Sequence, residues 1–594
     1  MAITFNETTR IFTLTTAHTT YQMQADAQGY LLHLYYGART AGEMDYLLNY
    51  GDRGFSGNPN SAGSDRTYSL DALPQEYPSL GTGDFRNYAL NIENADGSQC
   101  CNPVYITHEI AAGKYTLKGL PFVRAEENEA ETLKIILEDP VTKVELHLLY
   151  GVLEKEDIIT RSVIIKNAGK APVTVKKAQS ACLDFLHGDY DLIKFHGRHA
   201  MERNMERMPV SHESTRIGSR RGTSSHQYNP GVILAGKNTN EDSGSCYGML
   251  FVYSGNFLVE AEKDQYDQTR IQMGLTDELF AYPLEAGAEF TAPEVILSYT
   301  NKGLSRLSQQ YHHCIMNHIC QGKYVHANRP VLINSWEAAY FDFTGDTIVE
   351  LAKEAKALGI DMVVMDDGWF GTKYPRVTDN CALGDWVVDT KKLPNGIEGL
   401  LSDARKNQVK FGIWIEPEMT NTTSMLYEKH PDWVIKAPKR DAVLGRGGTQ
   451  LVLDLSNPKV QDFVFGVVDN LLTKYPDIAY IKWDANMPIM NHGSQYLSAA
   501  DQSHLYIAYH QGFAKVIDRI RAKYKDVVIQ CCASGGGRAN WGMLRGFDEF
   551  WVSDNTDAMQ RIYMQYGTSY FFPAIAMASH ISAVPNLSLI HISE

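Results

Sequence analysis

From about residue 330 onward the chain repeats one unit, a short apolar run followed by a stretch of helical period. No other feature restricts the fold as much. A strand followed by a helix returns to the sheet as a parallel neighbour, so repeated units build a parallel sheet. The apolar runs are Val331-Leu332-Ile333, Met362-Val363-Val364-Met365, Phe411 to Ile415, Leu451-Val452-Leu453, Ile478 to Ile481, Val527-Val528-Ile529 and Phe550-Trp551-Val552. After the first, Ile348, Leu351, Ala352, Ala355 and Leu358 share one helix face. Thr347 with Glu350 reads as the capping box of that helix, and Gly359 as its end. Ser456-Asn457-Pro458 opens a helix running to about Tyr475, and another spans roughly residues 501–524. Seven units favour a (β/α)8 barrel over a doubly wound sheet.

The preceding residues read differently. In Val144-Glu145-Leu146-His147-Leu148 the apolar residues alternate, the period of a half-buried strand. Ile158 to Ile165 is rich in β-branched residues, Asn167-Ala168-Gly169 breaks the run, and Val173-Thr174-Val175 resumes it. Turn signals recur at Asn94-Ala95-Asp96-Gly97, Ser254-Gly255-Asn256 and Glu285-Ala286-Gly287. The pattern predicts an N-terminal antiparallel β-sandwich over residues 1–325, with a helical connector around 303–321, and a barrel over residues 326–594. All eight tryptophans lie between Trp336 and Trp551, so the two parts have different tasks.

Composition narrows the class. A chain of 594 residues with 44% hydrophobic and 21% charged residues packs a core and is not a disordered chain. A net charge of −15 gives no general attraction for nucleic acid or anionic membranes. Met1 to Asn6 lacks a basic stretch followed by an apolar core, and no run approaches the ~20 apolar residues of a bilayer span. The nine cysteines include the vicinal pairs Cys100-Cys101 and Cys531-Cys532 but no CxxC spacing. Reduced thiols and a cytoplasmic location are the expectation.

Barrels carry their chemistry at the C-terminal ends of the strands. Here those ends hold Trp336; Asp366-Asp367-Gly368-Trp369; Trp414 with Glu416-Pro417-Glu418; Asp454; Lys482-Trp483-Asp484; Cys532 to Arg538; and Ser553-Asp554-Asn555. Carboxylates accept hydrogen bonds from hydroxyls, and an indole offers a flat face to the C–H side of a sugar ring. Glycoside cleavage needs two carboxyl groups, and several pairs are available. Any one of these residues alone also reads as a helix cap or as packing. The Gly535-Gly536-Gly537 run lacks the spacing of a phosphate cradle. His312, His313, Cys314 and His318 fall in the connector helix and match no metal motif, and His108-Glu109 lacks a second histidine.

These motifs together identify a resemblance. Met365 to Trp369, Gly384-Asp385-Trp386, Trp414 to Met419, Lys482-Trp483-Asp484, Cys532 to Arg538 and Trp551 to Ala558 resemble the barrel of glycoside hydrolase family 36, the bacterial and fungal α-galactosidases. Leu73 to Pro78, Gly218 to His226 and Tyr253 to Phe257 resemble its sandwich domain. The resemblance implies retaining hydrolysis of terminal α-linked galactose from sugars such as melibiose and raffinose. Asp484 is then the nucleophile and Asp554 the general acid and base. Asp366 and Asp367 take O4 and O6, Trp336 and Trp414 shape the apolar wall, Arg446 and Lys482 reach the O3 region, and Cys532 and Gly535 face the C2 hydroxyl. No metal or organic cofactor is implied. A homo-oligomer, a tetramer when complete, is implied, with the Arg66 to Arg86 region as the loop that borders a neighbouring site.

Two local departures bear on the acceptor side. Met487 follows Asn486 where the family commonly has arginine, and Gly447-Gly448 follow Arg446. At the end, His580 to Asn586 resembles the family's segment between strands seven and eight, but the text changes at Leu587. The expectation is a truncated chain whose last residues, Leu587 to Glu594, are foreign, with no eighth barrel strand and no C-terminal β domain. The alternatives are an α-galactosyl transferase, an α-N-acetylgalactosaminidase, or an inactive sugar-binding fragment.

Overall fold

The computed structural model describes residues 2–582, so Leu587 to Glu594 lie outside the described residues. The first half consists of antiparallel sheets of four, six and ten strands. Alternation is the reason: every second side chain is buried from Leu133 to Leu137 and from Val144 to Leu148, beyond which Val144–Leu153 is buried throughout, and the two strands run in unbroken register. Phe12, Leu146, Val175, Ile271 and Leu297 come from all three sheets and share one core, so the sheets pack face to face. The connector forms as expected. Helix Gly303–Cys314 buries Leu304, Leu307 and Tyr311, and continues into a π-helical turn, Ile315–Ile319. The histidines beside it serve backbone carbonyls: His312 Nε2 meets Ser569 O at 2.7 Å and His318 Nδ1 meets Arg124 O at 2.7 Å.

The second half is a seven-stranded parallel sheet. Its order is Leu332–Asn334, Met362–Met365, Lys410–Ile415, Ile478–Trp483, Val528–Cys531, Glu549–Trp551 and Met577–Ala578. The count of seven stands with one member exchanged. Leu451-Val452-Leu453 is not in the ladder, because Lys410–Ile415 pairs directly with Ile478–Trp483. Gln450–Val452 instead forms a two-stranded antiparallel piece with Met419–Asn421. Met577–Ala578 takes the vacated place in the count by pairing with Glu549–Trp551. Among the described residues the first and last strands do not pair, so the barrel is open there.

Helices cover this sheet. Gly345–Ala357 starts one turn earlier than the sequence suggests, with Thr344 and Thr347 making the capping box instead of Thr347 and Glu350. Helix Pro458–Lys474 has Asn457 as its cap, its side chain accepting from Lys459 N, and proline at the first position. Leu505–Lys523 buries Phe513, Val516, Ile517 and Ile520. No described helix is long and apolar enough to cross a membrane. In the Arg66 to Arg86 region the ends differ. Arg86 is locked among Asp84, Asp264 and two carbonyls, whereas Arg66 is exposed beside Asp52.

Candidate active site

A cavity of about 1140 Å³ runs from Arg329 and Glu549, at the N-terminal ends of the parallel strands, to their C-terminal ends. Trp336, Asp366, Asp367, Trp414, Arg446, Lys482, Asp484 and Asp554 all line it. Eight residues singled out in sequence, spread over five strand ends and a loop, thus meet in one space. Cys532 and Gly535 lie behind this wall. Cys532 is buried, its amide held by Trp483 O. Gly535 has φ +79°, and a Cβ there would meet Asp554 N at 2.7 Å and Glu202 Oε1 at 2.9 Å. Its bareness lets the loop carrying Asp554 approach.

Asp484 follows directly after Ile478–Trp483, and its amide donates to Ile415 O on the neighbouring strand. Four N–H groups aim at its carboxylate. Trp414 Nε1 and Asn486 Nδ2 reach Oδ2 at 3.2 and 2.9 Å, while the amides of Ala485 and Ser534 reach Oδ1 at 2.9 and 3.4 Å. Donors from three different strand ends fix its orientation more firmly than any single contact. A third carboxyl sits beside it. Glu416 is fully buried and shares Asn486, which also donates to Oε2 at 3.1 Å. Burial and the neighbouring Asp484 charge push Glu416 well above the usual carboxylate range.

The paired aspartates each have their own cation. Lys482 Nζ lies 2.8 Å from Asp366 Oδ2, which also accepts from Asn334 Nδ2 at 2.6 Å. Burial disfavours the Lys482 charge, but Asp366 with Cys532 and Asp484 more than offsets this, so the ammonium stays protonated. Arg376 grips Asp367 with two nitrogens, Nε to Oδ1 at 3.0 Å and Nη2 to Oδ2 at 2.7 Å. Arg376 is itself anchored by the carbonyls of Asp379 and Cys381. Arg446 pairs with Asp379 at 3.1 Å. Gly447 and Gly448, with φ of +65° and +67°, turn the chain just after it. Met487 packs under Gly445, where a Cβ would meet its sulfur at 2.2 Å.

Asp554 follows Glu549–Trp551. Trp551 Nε1 donates to its Oδ1 at 3.1 Å, and His199 Nε2 lies 2.9 Å from Oδ2. Burial opposes ionisation of Asp554, but the His199 bond and charge, with Lys482, overcome it and hold the carboxyl far below the usual range. Sequence reading missed His199, Arg376 and Glu337, which also lines the cavity. His199 comes from the sandwich half, 355 residues from Asp554, and no spacing rule links them. Arg376 lies in an irregular loop. Among the described residues no group of three or more metal-ligating side chains is placed to hold a metal.

The strand ends bring two carboxyl groups, a second aspartate pair with cations and an indole wall into one cavity, the groups that cleavage of a glycosidic bond requires of a barrel. The comparisons agree. Residues 29–285 match the family model for the glycosyl hydrolase family 36 N-terminal domain, and residues 289–593 match the Melibiase model. The chain belongs to glycoside hydrolase family 36. It is 58% identical, over 99% of its length, to the bifunctional α-galactosidase/sucrose kinase AgaSK of Mediterraneibacter gnavus, and spans 61% of that protein. It is 42% identical to the α-galactosidase AgaA of Geobacillus stearothermophilus, covering 99% of this chain and 80% of that one. The solved galactosidase domain of AgaSK superposes with a TM-score of 0.94 at 57% identity, covering 98% of this chain and 79% of that one. An AgaA variant solved with raffinose superposes with a TM-score of 0.94 at 41% identity, covering 97% of this chain and 79% of that one.

Proposed function

We propose that this chain is a retaining, exo-acting α-galactosidase that removes terminal α-linked galactose from oligosaccharides such as melibiose and raffinose. The observation that carries this reading is the single cavity holding Asp484, Asp554 and the Asp366–Asp367 pair. Relatives named α-galactosidase, one of them solved with raffinose and another form with stachyose, support the substrate class. The division into a sandwich over 1–325 and a barrel over 326–594, and a homo-oligomeric state, belong to the same reading.

In the first step the Asp484 carboxylate attacks the anomeric carbon, and Asp554 protonates the departing oxygen. The four N–H donors around Asp484 keep its attacking oxygen aimed. In the second step Asp554 takes a proton from water, the water oxygen attacks the same carbon, and the bond to Asp484 breaks. Two inversions leave the α configuration. Asp366 and Asp367, each held by a buried cation, accept from the O4 and O6 hydroxyls. A sugar lacking the axial O4 leaves these groups unpaired, a discrimination of the order of 10⁴-fold. Trp336 and Trp414 face the ring, Arg446 and Lys482 reach O3, and Cys532 and Gly535 support the wall near the C2 hydroxyl.

The test is hydrolysis of 4-nitrophenyl α-galactoside and melibiose by the purified chain, with the released anomer followed by NMR. α-Galactose appearing first, and loss of at least about 10⁴-fold in kcat for Asp484→Ala, is the expected result. β-Galactose appearing first, or an Asp484→Ala variant that keeps its rate, overturns the reading.

A further inference from the structure

A general acid must hold a proton when substrate arrives, yet the surroundings of Asp554 favour its charged form. A histidine stands within hydrogen-bond distance of that carboxyl. The tip of a sandwich hairpin, formed by Tyr190–Arg198 and Met201–Pro209, reaches over the barrel and places His199 Nε2 2.9 Å from Asp554 Oδ2. We propose that His199 is a positioning residue acting through Asp554, its ring holding the proton that Asp554 passes to the departing oxygen. This rests on Asp554 being the acid and base of the reaction.

The hairpin is clamped to the barrel at each point that matters. Arg203 donates to Gly536 O at 3.0 Å and Val552 O at 3.3 Å, while Glu202 Oε1 accepts from Gly536 N at 3.3 Å. Asn555 Nδ2 donates to Ala200 O at 3.0 Å. Ala200 and Arg203 adopt φ of +62° and +53°, a strained turn at the tip of the hairpin. So His199 is bracketed by contacts to the two strand ends, around Gly536 and Val552, that frame Asp554. Both partners keep access to the cavity, with side-chain exposures of 45% for His199 and 37% for Asp554.

The remaining titratable groups around the pair carry both signs. Lys482, Arg446 and Arg561 act on it as cations, and Glu202 and Glu337 as anions. Burial keeps His226 and His580 below the usual imidazole range, so both are neutral near pH 7. Asp554 raises His199 above that range, which matches a proton stored on the ring.

The balance of the step is simple. As the C1–O bond breaks, its electron pair goes to the departing oxygen, which takes a proton from Asp554. Asp554 receives that proton from His199 Nε2, and the pair is left as neutral imidazole and carboxylate. When water attacks C1 in the second step, its proton returns through Asp554 to His199. One proton leaves with the departing sugar and one from water replaces it, so the pair ends the cycle as it began and titrates as a unit.

The test uses the full chain with His199→Gln and His199→Asn, whose amides can hydrogen-bond but carry no exchangeable charge. In both, the alkaline limb of kcat/KM moves to lower pH by at least about one unit, because the catalytic proton is then held by a lone carboxyl. At pH 8, kcat/KM for melibiose falls about 100-fold and for 4-nitrophenyl α-galactoside less than about tenfold, since nitrophenolate leaves without help. An unmoved alkaline limb, or an equal fall on both substrates at every pH, overturns the proposal. Asp554→Ala separates the two levels. If it too affects both substrates equally, Asp554 is not the acid, and the reading beneath the proposal fails.

Discussion

Arg376 shows what a single side chain does here. It is fully buried, and both Asp367 oxygens depend on it. Removing one member of a buried ion pair strands the other, at a cost of about 3–5 kcal/mol. Arg376→Ala is therefore expected to lower the urea midpoint and to raise KM for 4-nitrophenyl α-galactoside by at least about tenfold, with kcat less affected. Arg376→Lys does not restore KM, because an ammonium lacks the planar fork that meets two oxygens. Steady-state kinetics with both variants checks this, and a parental KM in either refutes it. The aspartates themselves were legible from their position at a strand end. Arg376 was not, since an arginine in an irregular loop carries no periodic signal.

At the scale of elements, the hairpin and the helix Ala558–Ser569 must fit each other. A Cβ on Gly567 would lie 2.0 Å from Arg203 O, a backbone atom that cannot step aside. In a free helix Gly→Ala stabilises by up to about 1 kcal/mol. Gly567→Ala is expected to do the reverse, lowering the melting temperature and cutting melibiose turnover by lifting His199 from Asp554. A variant more stable than the parent with full activity refutes this fit. Elements differ in how much of them the sequence disclosed. Met362–Met365 is buried on both faces and reads as a continuous apolar run. Leu451-Val452-Leu453 has the same appearance, but three apolar residues do not say which strand they pair with. Met577–Ala578 is too short to show any period. Thr344 and Thr347 both suit a helix start, and only backbone geometry chose between them.

For the whole molecule, the two halves share buried polar contacts. His510 on the barrel helix reaches Gly222 O at 2.7 Å, and Asn540 donates to Ser224 Oγ at 2.9 Å. Burial pushes His510 down from 6.5 to about 4. The unfolded chain therefore binds this proton more readily than the folded one. Stability from the neutral ring is complete above pH 6.5 and is lost as pH falls from there towards 4, to a total of about 3 kcal/mol. Urea midpoints measured between pH 7 and 4.5 are expected to fall less steeply for His510→Gln than for the parent. Parallel curves refute a titration at this interface.

The sequence by itself determined the division into antiparallel and parallel halves, because strand period and strand–helix alternation are local properties of side-chain order. It also placed Asp366, Asp367, Asp484 and Asp554 at strand ends, since each directly follows or lies close to an apolar run. Tertiary structure decided what surrounds them. Glu416 becomes a third carboxyl beside Asp484 only when neighbouring strands align, and His199 meets Asp554 only when a distant hairpin docks. Contacts of that kind depend on how packed sheets cross, which is a property of the assembled cores and of no single segment.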